Sequence, residues 1–176
     1  MTIDAEVVRR HIRDIADWPE PGVTFRDITP LVGDAPVFRS TIEAIVESFR
    51  HTRIDRVLGV EARGFIFAAP VAYELGAGFV PVRKAGKLPH EIEREEYELE
   101  YGSDLLEMHV DAIGADEQVL IVDDVLATGG TAAATARLVR RLGGEVAGMA
   151  FVVELTFLDG RAKLPGVEIL SLTSYE

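Results

Sequence analysis

Two rhythms of apolar positions run along the chain. Val8, Ile12 and Ile15 recur at helical spacing and predict a helix over Thr2–Ala16, with Thr2 or Asp4 as its cap. Trp18-Pro19-Glu20-Pro21-Gly22 then breaks the chain into a loop, followed by GVTFRDITPL, which Pro30 ends. Asp34–Phe49 reads as a capped helix with Pro36 in its first turn and Phe38, Ile42, Ile45, Val46 and Phe49 along one stripe. Short apolar runs at Arg56–Val60, Phe79–Val82, Val119–Val122, Glu145–Val153 and Val167–Leu172 predict strands, with Pro81 near one strand end. Helices are expected between them: Ile66–Leu75, with Pro70 early in it and Gly76 closing it, and Thr131–Leu142, stopped by Gly143 and Gly144. Phe157–Lys163 is expected to be a short turn or helix.

One stretch keeps a period of two instead. Tyr97, Leu99 and Tyr101 alternate with Glu96, Glu98 and Glu100; after Gly102-Ser103, Leu106, Met108 and Val110 alternate with Glu107 and His109. That predicts a β-hairpin, and its acidic sequence suits a loosely anchored flap. Elsewhere strands alternate with helices, so the fold class is α/β, an open parallel twisted sheet flanked by helices in a single domain over residues 1–176.

Composition narrows the function. The 18 basic and 30 acidic residues leave a net charge of -12, which disfavours nucleic acid and anionic membrane as partners. With no cysteine, thiolate catalysis and zinc–thiolate sites are excluded, and a cytoplasmic location is expected. His11, His51, His90 and His109 show no metal-ligand spacing, and no G-x-S-x-G elbow is present. Any anion site must therefore be built locally.

Gln118–Leu142 supplies one. A buried strand runs into Asp123 and Asp124, then into Ala127-Thr128-Gly129-Gly130-Thr131, then into a helix. Free N–H groups of such a loop and helix start converge on one spot, and glycine lets the backbone approach a phosphate closely. Carboxylates repel phosphate, so the two aspartates suit ribose hydroxyls or a hydrated metal ion. No Walker A sequence and no dinucleotide fingerprint is present; Gly76-Ala77-Gly78 lacks the third glycine. Arg83, Lys84 and Lys87 around Gly86 form a cationic cluster at a strand's carboxyl end, where open α/β sheets place ligands. Arg63, at another strand–helix turn, is either a further anion contact or a solvated surface charge. From pattern alone Phe25 reads as core and Glu100 as a solvated strand carboxylate.

VLIVDDVLATGGT resembles the phosphoribosyl-pyrophosphate (PRPP) motif of the type I phosphoribosyltransferases. The resemblance implies that Ala127, Thr128, Gly129, Gly130 and Thr131 hold the 5′-phosphate, and that Asp123 and Asp124 face the ribose hydroxyls. PGVTFRDITP resembles the hood of the family's adenine-using branch. That implies Phe25 stacking on the base, Thr24 and Arg26 contributing main-chain contacts, and Val125 packing on the opposite face. EARGF and RKAGKLP resemble its pyrophosphate-binding segments, which assigns Arg63, Arg83, Lys84 and Lys87. LEYG resembles the flap motif, which implies Glu100 as the acid/base and Tyr101 as a residue seating the substrates. VEL and the closing SYE recur there too.

The resemblance thus adds a hood (about residues 1–33) and a flap (about residues 86–110) to the sheet. It implies transfer of a phosphoribosyl group from PRPP to adenine, giving AMP and pyrophosphate, with Mg²⁺ bound mainly through the substrate and with homodimers. Two other readings stay open: transfer to another base such as hypoxanthine, guanine or xanthine, and a non-catalytic PRPP-binding regulator.

Overall fold

The computed structural model describes residues 3–98 and 103–176. In chain order these form α1 (Ala5–Arg10), β1 (Arg13–Ala16), β2 (Thr24–Asp27), α2 (Thr29–Gly33), α3 (Ala35–Phe49), β3 (Arg56–Val60), α4 (Gly64–Leu75), β4 (Gly78–Lys84), β5 (Ile92–Glu98), β6 (Ser103–His109), β7 (Gln118–Leu126), α5 (Gly130–Arg141), β8 (Glu145–Leu155) and β9 (Ile169–Tyr175). Two 3-10 turns, Thr156–Leu158 and Gly160–Lys163, link β8 to β9.

Seven strands lie in the order β5-β6-β4-β3-β7-β8-β9. The pairs from β4 through β3, β7 and β8 to β9 are parallel; β6 joins β4, and β5 joins β6, antiparallel. Because successive strand residues face opposite sides, the core divides in two. Leu58, Ile121 and Met149 face α5, whose Ala134, Leu138 and Val139 are buried against them. Val57, Leu120, Val122 and Ala150 face the other way, toward α1, α3 and α4. β3 has neighbours on both sides that follow it in the chain, so β3 and β7 bound the switch point of the sheet, where a crevice opens beyond their carboxyl ends.

Several elements differ from the sequence expectation. The first helix ends at Arg10, with Asp4 capping it through Glu6 N–H at 2.9 Å. Ile12 and Ile15 fit a helical face, yet Arg13–Ala16 pairs antiparallel with Thr24–Asp27 as a separate ribbon. Pro30 does not end a segment but occupies the first turn of α2. α4 begins at Gly64, so Pro70 falls in mid-helix. β7 continues through Asp123 and Asp124 to Leu126, so the two acids lie within the strand instead of after it. β4 runs on through Pro81 to Lys84, and β9 starts at Ile169 and extends to Tyr175.

The hairpin is present, but its base is not loosely anchored. Tyr97, Leu106 and Met108 are buried in the core. β6 pairs with β4 at Arg83 and Lys84, and Arg141 of α5 reaches Glu93 at 3.2 Å. Glu107 of β6 is 2% exposed and accepts from Gly86 N–H at 2.8 Å.

Candidate functional site

The crevice at the switch point consists of two adjoining cavities. The smaller, about 70 Å³, is walled by Leu126–Ala132 with Asp123 and Phe151. The larger, about 280 Å³, is lined by Glu61, Ala62, Arg63, Lys84, Tyr97, Asp123, Asp124, Val125, Ala127 and Thr131, among others. Asp123, Val125, Ala127 and Thr131 border both, so one elongated ligand can occupy the pair.

The small cavity is an anion cradle made by backbone. Gly129 sits at φ +75°, left-handed, and forms the N-cap of α5 without a side-chain cap bond, leaving the helix's first N–H groups for a ligand. A β-carbon at Gly129 would collide with the Gly160 carbonyl, and one at Gly160 with the Ala127 carbonyl. The loop is thus held backbone to backbone by the 3-10 turn that starts at Gly160. Sequence reading missed this buttress, because the two glycines lie far apart in the chain and nothing local marks the second one.

The large cavity carries the charge. Arg63 Nε lies 2.8 Å from Asp124 Oδ2, an ion pair without hydrogen-bond alignment, so that oxygen remains buried with no hydrogen-bond donor. Asp123 is half-buried and accepts Asp124 N–H at 2.9 Å. A β-carbon at Gly64 would come within 2.8 Å of Asp123 Oδ1, so that glycine makes room for the acid at the start of α4. Burial pushes the Asp123 carboxyl well above the usual range, and the neighbouring Asp124 adds to it. Burial raises Asp124 as well, with Arg63 working against it.

The cations are all held by carboxylates. Glu61 accepts from Arg83 Nε at 3.0 Å, from Lys84 N–H at 2.9 Å and from Lys87 Nζ. Burial alone would raise the Glu61 pKa, but these donors outweigh it and bring it down to about 2. Lys84 Nζ reaches Asp104 at 3.2 Å, and the same carboxylate accepts the Tyr97 hydroxyl at 3.2 Å. Asp104 in turn raises the lysine's pKa. Glu61, Tyr97 and Asp104 were not picked out from sequence. Glu61 opens the EARGF segment, whereas Asp104 carries no local signal.

The hood meets this site through Arg63, whose guanidinium lies 4.8 Å from the Phe25 ring centroid. Trp18 packs edge-on against the same ring at 4.4 Å. Among the described residues β2 pairs with β1 on one edge only, so its other edge keeps backbone donors and acceptors available around Thr24, Phe25 and Arg26. Of the sequence-predicted residues, the structure brings Arg63, Lys84, Asp123, Asp124, Val125, Ala127 and Thr131 to one cavity, with Arg83 and Lys87 joined to it through Glu61. Glu100 and Tyr101 lie outside the described residues. A larger cavity, about 790 Å³, lies elsewhere, between α1 and β9. Its buried carboxylate, Glu154, is paired with Arg161 at 2.6 and 2.7 Å, and none of the residues above lines it.

Residues 35–165 match the phosphoribosyl transferase domain family. An adenine phosphoribosyltransferase of Desulfitobacterium hafniense is 55% identical over 166 residues, covering 94% of this chain and 96% of its own. The crystal structure of an adenine phosphoribosyltransferase from Thermoanaerobacter pseudethanolicus superposes with a TM-score of 0.95 at 52% identity, covering 97% of this chain and 99% of that one. One from Saccharomyces cerevisiae, complexed with an imino-altritol bisphosphate and adenine, superposes with a TM-score of 0.90 at 42% identity, covering 96% and 97% of the two chains.

Two outcomes are expected from this geometry. Gly160→Ala displaces the loop it supports, and titration calorimetry should show about tenfold weaker binding of a sugar phosphate; unchanged affinity would contradict the buttress. For Asp123, the folded-state pKa lies above its unfolded value of 3.8, so the ionised acid destabilises the fold as pH rises through that interval. Asp123→Asn should therefore raise the melting temperature at about pH 7, and the gain should vanish below about pH 4. A gain independent of pH would argue against burial as its source.

Proposed function

The chain belongs to the adenine phosphoribosyltransferases of the phosphoribosyl transferase family, and we propose that it forms AMP and pyrophosphate from adenine and PRPP with the crevice residues in the roles below. The observation that carries this reading is the pair of adjoining cavities: a backbone anion cradle at one end, and two buried acids with a cluster of cations at the other.

The 5′-phosphate sits in Ala127–Thr131, on the N–H groups that open α5. Asp123 and Asp124 accept from the ribose diol, for which the unsatisfied Oδ2 of Asp124 is suited. The pyrophosphate draws Arg63, Arg83, Lys84 and Lys87 away from Asp124, Glu61 and Asp104. Their present carboxylate partners hold these donors near the positions an incoming anion would fill. Adenine stacks on Phe25 once Arg63 has left that ring, with Val125 below it and the open edge of β2 reading its rim. Breaking the ribose C1–O bond builds positive charge on the sugar and negative charge on pyrophosphate. The buried acids tolerate the first and the freed cations stabilise the second. Glu100, assigned from the LEYG motif alone, exchanges the proton with the purine ring.

Mg²⁺ is assigned to the substrate's own oxygens. Among the described residues no three His, Asp or Glu side chains converge to hold a metal ion, while the Asp123–Asp124 pair suits the water shell of a hydrated one. Such an ion supplies further charge neutralisation on the leaving group.

Two copies of the chain pair through the outer face of α4. Ile66 and Tyr73, seven positions apart on one side of the helix, are 40% and 83% exposed beside Phe79. Phe79 packs on Phe65, and Arg83 lies 6.0 Å from that same ring, so this face borders the site.

Incubated with PRPP, Mg²⁺ and each base in turn, the protein should yield AMP from adenine and little nucleotide from hypoxanthine; the reverse preference would remove the adenine assignment. Glu100→Gln should lower kcat by about 10²–10⁴ with little change in KM for PRPP. An unchanged kcat would remove Glu100 from the mechanism.

A further inference from the structure

Among the described residues no backbone ladder joins the hood to the seven-stranded sheet: β1 and β2 form a sheet of their own. The position of Phe25 therefore depends on side chains. Its neighbour Arg26 faces the opposite side of the ribbon. The Arg26 guanidinium lies 3.8 Å from the ring centroid of Tyr175, at the end of β9, and pairs with Asp14 of β1. Its Nε is buried with no hydrogen-bond partner. A guanidinium N–H withdrawn from water without an acceptor is costly, and the aromatic face is what Arg26 receives in return.

Tyr175 is itself firmly placed. It stands opposite Leu155 in the β8–β9 register, and its carbonyl accepts the Thr156 hydroxyl at 3.0 Å. Arg9 of α1 brings a second guanidinium to 4.8 Å from the same ring and donates to the Ser174 carbonyl. Burial raises the Tyr175 pKa above its ordinary value of 10.0, so the ring stays neutral at physiological pH. The ring is thus a fixed post on the main sheet against which the hood strand is held.

We propose that Tyr175 is a positioning residue for the base: its ring holds Arg26, and through Arg26 it sets where the Phe25 platform stands over the crevice. The inference rests on the adenine reading above, since it assigns Tyr175 to one substrate and not to the other. The sequence offered only the SYE ending, with no role attached to it. The phosphate cradle is built on β7 and α5, and Arg83 and Lys84 on β4, away from this contact; Arg63 is the crevice cation that touches the hood, at the Phe25 ring.

The test compares Tyr175→Ala, Tyr175→Leu and Tyr175→Phe with the unaltered protein. Tyr175→Ala should raise KM for adenine about tenfold, leave KM for PRPP within about twofold, and Tyr175→Phe should restore both. Tyr175→Leu keeps bulk without a π face and should behave as Tyr175→Ala does; it also serves if the alanine variant fails to fold. Trp18, the chain's single tryptophan, packs on Phe25 and gives a readout that needs no substrate. Its fluorescence in the ligand-free alanine and leucine variants should be quenched more readily by acrylamide than in the unaltered protein. Adenine and PRPP KM values rising together, a leucine variant like the unaltered protein, or unchanged Trp18 quenching would overturn the proposal. If the unaltered protein makes no AMP from adenine, the functional reading fails, and Trp18 quenching still decides whether Tyr175 anchors the hood.

Discussion

The structure depends on like charges being kept from meeting and opposite charges being kept in waiting. A chain of net charge -12 must present a grip for a polyanion. It does so by pairing each cation of the crevice with a carboxylate of its own: Arg63 with Asp124, Arg83 and Lys87 with Glu61, Lys84 with Asp104. These pairs are partly buried, where Coulomb attraction is stronger than in bulk water, so the long side chains are already ordered. On the proposed reading, an incoming anion exchanges one set of counter-charges for another and meets less of the entropic cost of ordering flexible lysines and arginines.

The site also uses pieces that burial disfavours or that only glycine adopts readily. Asp123 and Asp124 are adjacent acids within a central strand, where burial works against their ionisation. Gly129 takes a left-handed backbone at the helix start. Neither feature helps the fold. Both are held in place by the rigid surroundings of β7, buried on its two faces by helices of the two core layers.

How much of this was legible in the sequence follows from which forces are local. The strand–loop–helix from Gln118 to Leu142 was readable because acid pair, glycines and helix onset are contiguous. α3 was readable because Asp34 and the apolar stripe agree, and Asp34 does accept Val37 N–H at 3.1 Å. Arg13–Ala16 was not readable: Ile12 and Ile15 satisfy a helical period, and only pairing with Thr24–Asp27 makes a strand of the segment. The hairpin's alternation was visible, but its attachment to the sheet edge was not, because Glu107 looks solvated until Gly86 supplies its partner. In the site, Arg63, Lys84, Asp123, Asp124, Val125, Ala127 and Thr131 were named from contiguous motifs, and the structure brings them to one cavity. Gly160, Glu61 and Asp104 act through partners remote in sequence.

That bond between Glu107 and Gly86 has a mechanical meaning. β6 carries the hairpin and β4 carries Arg83 and Lys84, and the two are joined by a short ladder plus this buried carboxylate. On the proposed reading, a displacement of the hairpin would carry Arg83 and Lys84 with it, so opening the mouth and loosening the grip on the departing product would be one stroke.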